Sequence, residues 1–325
     1  STLPAAIKTG KLEIACNSVV HSEIYDDSSN RATGVNVIDE ETLETREYRA
    51  NMVFLCASTL GTAQIMLNST SAAVPTGIAN SSGVLGHYLM DHIYNVSATG
   101  TIEGFEDDYY RGNRPTGPVI PRFVNLDGQT EKFARGYFFR TQARRQDVYR
   151  ENGNTEFGAG LKQRLRRPGP WQLNVGSSGE MTPKFENMVS LHPEKTDKWG
   201  IPQLLIDCKW TENDKLMMEG IRQKAVELLE SIGATDIRSE ISDAPPGLAI
   251  HEMGTARMGR DPQTSVLNGR NQCHDVPNLF VADGACMASC AHQNPSLTYM
   301  ALAARAAHLA ADMYQQNDFH NNPES

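Results

Sequence analysis

The chain has 325 residues, with 30 Lys and Arg against 39 Asp and Glu, for a formal net charge of −9. That length holds two domains or one large α/β domain. The charge argues against nucleic acid or anionic membrane as the main partner, since both demand clustered Lys and Arg, and no apolar run reaches the ~18 residues of a membrane span.

The first elements in chain order read as strands. "KLEIACNSVVHSEIYDD" alternates and is rich in β-branched residues, and "RATGVNVIDEET" repeats the pattern after a polar turn. "EYRANMVFLCAS" rises into an apolar strand, and "STLGTAQIMLNS" follows as a short helix with Ser58 or Thr59 as N-cap. Residues 70–118 are loop-rich and contain an acidic patch, expected at the surface.

Five strand-like runs come next: "VIPRFVNL", "RGYFFRTQ", "PWQLNVGSSGEM", "MVSLHP" and "PQLLIDCKW". They predict an antiparallel sheet of short strands. The run "RLRRP" at 164–168 reads as a solvated turn. "TENDKLMMEGIRQKAVELLESIGA" is an amphipathic helix that Thr211 or Asn213 caps and Gly233 ends. After Pro245-Pro246 the chain is dense in Gly, His and Pro. "NLFVADGA" is a buried strand that leads toward a final alanine-rich helix, and residues 317–325 form a polar, flexible tail.

The six cysteines, Cys16, Cys56, Cys208, Cys273, Cys286 and Cys290, contain no C-x-x-C pair. They read as small buried thiols rather than metal ligands or disulfides.

Polar groups that a plain core does not need concentrate in "IHEMGTARMG", "VADGACMASC" and "HQNPSLT". Asn294 is a suitable N-cap and Pro295 a suitable first helical residue. The free amides of Ser296, Leu297 and Thr298 then favour an anion, or a group that becomes anionic during a reaction. Asp283 and Gly284 end a buried strand, which is where α/β sheets bind ligands. His251 can take a proton near neutral pH. Each feature also has a purely structural explanation: a capped helix, an Asp-Gly turn, a core histidine.

Taken together, "HEMGTARMGRDPQTSVLN", "VPNLFVADGA" and "NPSLTYMALAARAA" resemble, in order and spacing, the C-terminal signature of the glucose–methanol–choline (GMC) flavoprotein oxidoreductases. "ATGVNVID", "MVFLCASTLGTAQIMLNS" and "GVLGHYLMDH" look like the same family, with its sugar-oxidising branch the most similar.

The resemblance implies an α/β (α+β) fold: part of a Rossmann-like FAD-binding domain, residues 1–85 and 245–316, and an antiparallel-sheet substrate domain with covering helices, residues 86–244. It implies His251 as catalytic base and Asn294 as the second active-site residue. Asp283 and Gly284 would hold the ribityl-phosphate part of FAD, and Pro295 and Thr298 would face the flavin. Val20 would read the adenine, and Ala57 and Ser58 would lie near the ADP half. The reaction implied is oxidation of a sugar or glycoside hydroxyl to a carbonyl, by proton abstraction and hydride transfer to flavin N5. An electron acceptor, a cytochrome or a small partner subunit, would complete the cycle.

The family's strand and G-x-G-x-x-G loop, which cradles the FAD pyrophosphate, do not occur here. With Ser1 in place of an initiator Met, this leads to the expectation of a C-terminal portion lacking roughly the first two-fifths of a family member. Three other readings stay open: oxidation of another alcohol such as choline, a cofactor-free non-catalytic fragment, and a metal hydrolase on His251 and His292. The last is disfavoured because Gly and Asn surround these histidines and no H-E-x-x-H helix exists. His292 itself reads as a loop residue behind the site. Among the aromatics, Tyr137, Phe138, Phe139, Trp171 and Trp199 are candidates for stacking on a sugar, with core packing the simpler role for most.

Overall fold

A computed structural model describes residues 2–105, 117–145, 157–166 and 169–316. In chain order the elements are α1 (Thr2–Lys8), β1 (Ser18–Asp26), β2 (Arg31–Asp39), β3 (Thr45–Arg49), β4 (Val53–Leu55), α2 (Ser58–Asn68), β5 (His92–Ile93), β6 (Val96–Ile102) and β7 (Val119–Ile120). There follow β8 (Tyr137–Arg145), α3 (Ala159–Leu165), β9 (Trp171–Glu180), β10 (Met188–Thr196), β11 (Pro202–Asp207), α4 (Glu212–Ser231), β12 (Thr235–Ile241), β13 (Leu279–Val281) and α5 (Ser296–Gln316).

The strands form a mixed helix-and-sheet fold dominated by antiparallel pairing. β1, β2 and β3 make a meander, β10 and β11 a hairpin, and β12-β6-β9-β8-β7 a larger sheet in which β5 also pairs with β9. The exception is β13 with β4, which run parallel with Val53 opposite Leu279 and Leu55 opposite Val281. The β1–β2 turn is built by Asp26, whose carboxylate accepts from the Ser28 amide and from the Ser28 and Ser29 hydroxyls. Asn30 sits beside it at φ 54°, a conformation Asn tolerates better than most residues.

Two apolar cores organise these elements. One gathers Val53, Leu55, Met66, Ile78, Leu267, Leu279 and Val281 around the parallel pair and α2. The other packs α4 on one face of the large sheet, through Met217, Met218, Ile221, Ala225 and Leu229 against Ile93, Tyr137, Phe139 and Val175. Each such fully buried large side chain contributes about 1.5–3 kcal/mol. Tyr137 and Phe139 are therefore core residues, whereas Phe138, opposite Ser178 in the register, alternates to the other face. Glu180 and His92 are paired across β9 and β5 and share that second face.

α4 keeps the ends read from the sequence. Thr211 is the N-cap, in a reciprocal capping box with Asp214. At the other end Gly233, at φ 76°, lets its amide reach Glu230 O while Ala234 N reaches Leu229 O, the two bonds of a Schellman motif.

Other expectations need correction. Residues 11–16 are irregular, so the first strand begins at Ser18. The stretch expected to be loop contains β5, only two residues long, and β6, whose Thr-, Ser- and Gly-rich composition hid a strand stabilised by its neighbours in the sheet. β12, α1 and α3 are additional elements. Ala57 rather than Ser58 or Thr59 is the N-cap of α2, and no side chain caps it. Of the acidic stretch at 103–108 only 103–105 are described, and these are exposed; of the 164–168 run, Arg166 is exposed and 167–168 lie outside the described residues. The tail at 317–325 also lies outside them.

All six cysteines are free. Cys273, Cys286 and Cys290 are buried as expected, but Cys16 and Cys56 are exposed, the latter because it leaves β4 at the open strand end. Burial pushes the Cys286 and Cys290 thiols up to about 12, so both stay protonated at neutral pH and act as packing groups.

Candidate active site

Because β4 and β13 are parallel, their carboxyl ends open on the same side, the side on which open α/β sheets take ligands. Cys56, Ala57 and Ser58 leave β4 exposed and enter α2, whose N-cap residue Ala57 makes no side-chain cap. Asp283 and Gly284 leave β13. The Asp283 carboxylate is engaged from within the chain, accepting from the Thr62 hydroxyl at 2.5 Å and the Ala285 amide at 2.8 Å. Burial raises its proton affinity, and these bonds oppose that rise. Its side chain is thus a strut joining β13 to α2. Gly284 is demanded by space: a Cβ there would collide with the Thr59 hydroxyl, lie 2.6 Å from Glu252 O and lie 2.9 Å from the Tyr299 hydroxyl.

The segment carrying His251 is sewn between two others by backbone hydrogen bonds. On one side Met253 and Met90 exchange bonds of 2.8 and 3.0 Å, and Thr255 N reaches His87 O at 3.0 Å. On the other, Gly254, Ala256 and Met258 donate to Gly284, Ala285 and Cys286. Asp91 fastens the entry: one carboxylate oxygen accepts from Gly247 N and Ala249 N, and the other from His251 N at 3.2 Å. Thr59 adds a hydroxyl bond of 2.6 Å to Glu252 O. Four non-glycine residues here, Ser58, Tyr88, Ile250 and Thr255, hold φ between 57° and 72°. Such backbone is costly and gathers at functional sites.

His251 and Asn294 meet. The Asn294 amide nitrogen lies 3.3 Å from Nε2 of His251. The first helical bond of α5 runs from Tyr299 N to Pro295 O, so Pro295 holds the cap position and α5 starts one residue later than its sequence suggested. The Asn294 side chain is directed to His251 instead. Ser296, Leu297 and Thr298 are exposed at this mouth, with amides that precede the first helical bond.

Behind His251 lies His92, 1% exposed. Its Nδ1 is 2.9 Å from Nδ1 of His251, and its Nε2 contacts Ala291 O at 2.5 Å. His292 is at the rim, with Nδ1 3.5 Å from Glu180, a carboxylate that also meets Arg122 at 3.4 Å and Arg135 at 3.9 Å. Its ring centroid is 5.8 Å from that of Phe138.

The site residues read from sequence thus divide. His251, Asn294, Pro295 and Thr298 gather at one mouth, and Asp283, Gly284, Ala57 and Ser58 line the adjoining strand ends. Val20 is elsewhere: its neighbour His21 bonds to Asn68, at the far end of α2, roughly 15 Å along the helix. Sequence reading passed over His92, Asp91, Thr62 and Glu180. The signal for the first two is the Asp-His pair that ends "GVLGHYLMDH". No group of three or more His, Cys, Asp or Glu among the described residues is arranged to hold a metal ion.

Residues 183–303, which include His251 and Asn294, match the family model described as GMC oxidoreductase. That stretch is a GMC oxidoreductase C-terminal region. The whole chain is 32% identical over 288 residues to the 2-methyl-1,2-propanediol dehydrogenase of Mycolicibacterium austroafricanum, covering 86% of the chain and 51% of that relative. It is 28% identical over 307 residues to the fructose dehydrogenase large subunit of Gluconobacter japonicus, covering 93% of the chain and 55% of that relative. The chain therefore spans about half the length of the curated relatives it matches. Its fold resembles that of formate oxidase from Aspergillus oryzae RIB40, with TM-score 0.62 and 15% identity over 93% of this chain and 61% of the other.

Proposed function

We propose that this chain carries the catalytic pair of an FAD-dependent oxidoreductase that converts a hydroxyl of a sugar or glycoside to a carbonyl. The observation that carries the reading is the meeting of His251 Nε2 and the Asn294 amide at the start of α5. His251 takes the hydroxyl proton, and Asn294 holds the same oxygen by its amide, orienting the carbinol C–H.

The residues present fit an anionic, dinucleotide-like cofactor. The N-cap residue of α2, Ala57, makes no side-chain cap, the turn at Gly284 has no room for a Cβ, and both parallel strands end there. Ala57, Ser58, Asp283, Gly284, Pro295 and Thr298 would hold FAD, with Val20 at a separate adenine contact. When bound, FAD supplies the two-electron acceptor for the carbinol. The amides of Ser296, Leu297 and Thr298 favour the negative charge of a reduced flavin. Residues 1–85 with 245–316 would form the cofactor-binding part and 86–244 the substrate part. The relative named as a fructose dehydrogenase supports a polyhydroxylated substrate. A cytochrome or small subunit would accept the electrons, in keeping with a relative named as a large subunit.

A second reading is a small diol or other alcohol, favoured by the relative named for 2-methyl-1,2-propanediol. The test is anaerobic bleaching of the flavin spectrum with glycosides, fructose, diols and choline. Fastest bleaching by a sugar is expected. His251→Ala should slow it by about 10²–10⁴-fold with the bound-flavin spectrum retained, and undiminished bleaching in that variant excludes the assignment.

A further inference from the structure

Between buried His92 and half-buried His251, one arrangement of protons on neutral rings satisfies every contact. The carbonyl of Ala291 can only accept, so Nε2 of His92, 2.5 Å away, carries a hydrogen. His92 is buried, and burial lowers its proton affinity, so the ring is neutral and its Nδ1 is bare. That bare nitrogen lies 2.9 Å from Nδ1 of His251. One of the two must donate, and it is His251. Nε2 of His251 is then an unprotonated lone pair, as the facing Asn294 amide requires at 3.3 Å, since an amide N–H donates.

We infer that His92 is a positioning residue: it accepts the Nδ1–H of His251 and so holds that ring in the tautomer whose Nε2 is free to take a proton. The inference deepens the proposed oxidation and rests on His251 being its base. The device resembles in principle the carboxylate that orients the histidine of a Ser-His-Asp triad, with a neutral imidazole in the carboxylate's place. A neutral partner suits this pocket. Asp91 already supplies negative charge at the His251 backbone. Glu180, the strand partner of His92, is paired with Arg122, Arg135 and His292. Because His92 is anchored to Ala291, only three residues before Asn294, the same contact also locates the second active-site residue relative to the first.

The test uses the whole, FAD-loaded protein labelled with ¹⁵N-histidine. Nitrogen shifts and couplings should show His251 protonated at Nδ1 and bare at Nε2 near neutral pH. A wild-type His251 with its proton on Nε2 overturns the inference whatever the activity. His92→Leu should move that proton toward Nε2 and lower kcat by about a hundredfold with little change in KM. His92→Asn, whose side-chain oxygen can replace the lost acceptor, should restore the Nδ1–H tautomer and bring kcat to within about tenfold of wild type. Equal losses in both variants with unchanged tautomers would reduce His92 to packing. If no alcohol is oxidised by wild type, the proposed function fails while the tautomer assignment is still decided by the spectra.

Discussion

The hydroxyl of Thr62, in the second turn of α2, lies 2.5 Å from the carboxylate of Asp283 at the end of β13. The same Thr62 oxygen accepts from the Ala57 amide at 3.3 Å. One side chain thus ties the end of β4, the start of α2 and the end of β13 into a unit. Thr62→Val should keep the shape but leave Asp283 short of a donor in a buried place, costing about 1–3 kcal/mol. Asp283→Ala should cost more, since it also frees the Ala285 amide. Urea denaturation checks both, and midpoints equal to wild type would mean the strut carries no load.

Gly284→Ala probes the crowding behind His251. The added methyl would meet the Thr59 hydroxyl, which can rotate, and Glu252 O, which is backbone and adjoins His251. Overpacking of this kind costs about 1–3 kcal/mol, and relief by backbone movement would displace the His251 ring. The expected outcome is a lower Tm together with a disproportionate fall in kcat. Loss of stability alone would show that the strain relaxes elsewhere.

Asn294→Ala separates catalysis from helix capping. Since Pro295 occupies the cap position and the Asn294 side chain points to His251, removing it should change unfolding free energy by less than about 0.5 kcal/mol. Loss of a donor aimed at the reacting oxygen should lower kcat by about 10²–10³-fold. A drop of a kilocalorie or more in stability would instead mark Asn294 as a cap.

Glu23, on β1 and 4% exposed, has no hydrogen-bond partner for either carboxylate oxygen. Burial raises its carboxyl from 4.5 to about 8. An acid with a raised folded-state value stabilises the fold while protonated. Its contribution is complete below about 4.5 and is lost as pH climbs through about 8. Stability of wild type should fall over that window, and Glu23→Gln should flatten the curve. Parallel pH profiles for the two proteins would refute the assignment.

Some of this was readable from sequence and some was not, for reasons that differ by residue. α4 was legible because its ends are local: a Thr211–Asp214 box and a Gly233 Schellman turn need only neighbouring residues. β5, β6 and β12 were not, because these short runs become strands only when a neighbour supplies the ladder, β9 for β5 and β6, and β6 for β12. Asn294 reads by local rules as the cap of α5, but its amide faces His251. An Asn before Pro at a helix start is a good cap by local rules, and only the approach of His251 redirects its amide.

By itself the sequence determined which residue types were available for chemistry, and in what order: an imidazole at 251, an Asp-Gly at a strand end, and an Asn-Pro at the mouth of a long helix. Only the tertiary structure decided their partners. His92 reaches His251 across 159 residues, and Asp283 reaches Thr62 across 221. Hydrogen bonds across such separations depend on how the sheets and the parallel strand pair assemble, and spacing along the chain carries no record of that assembly.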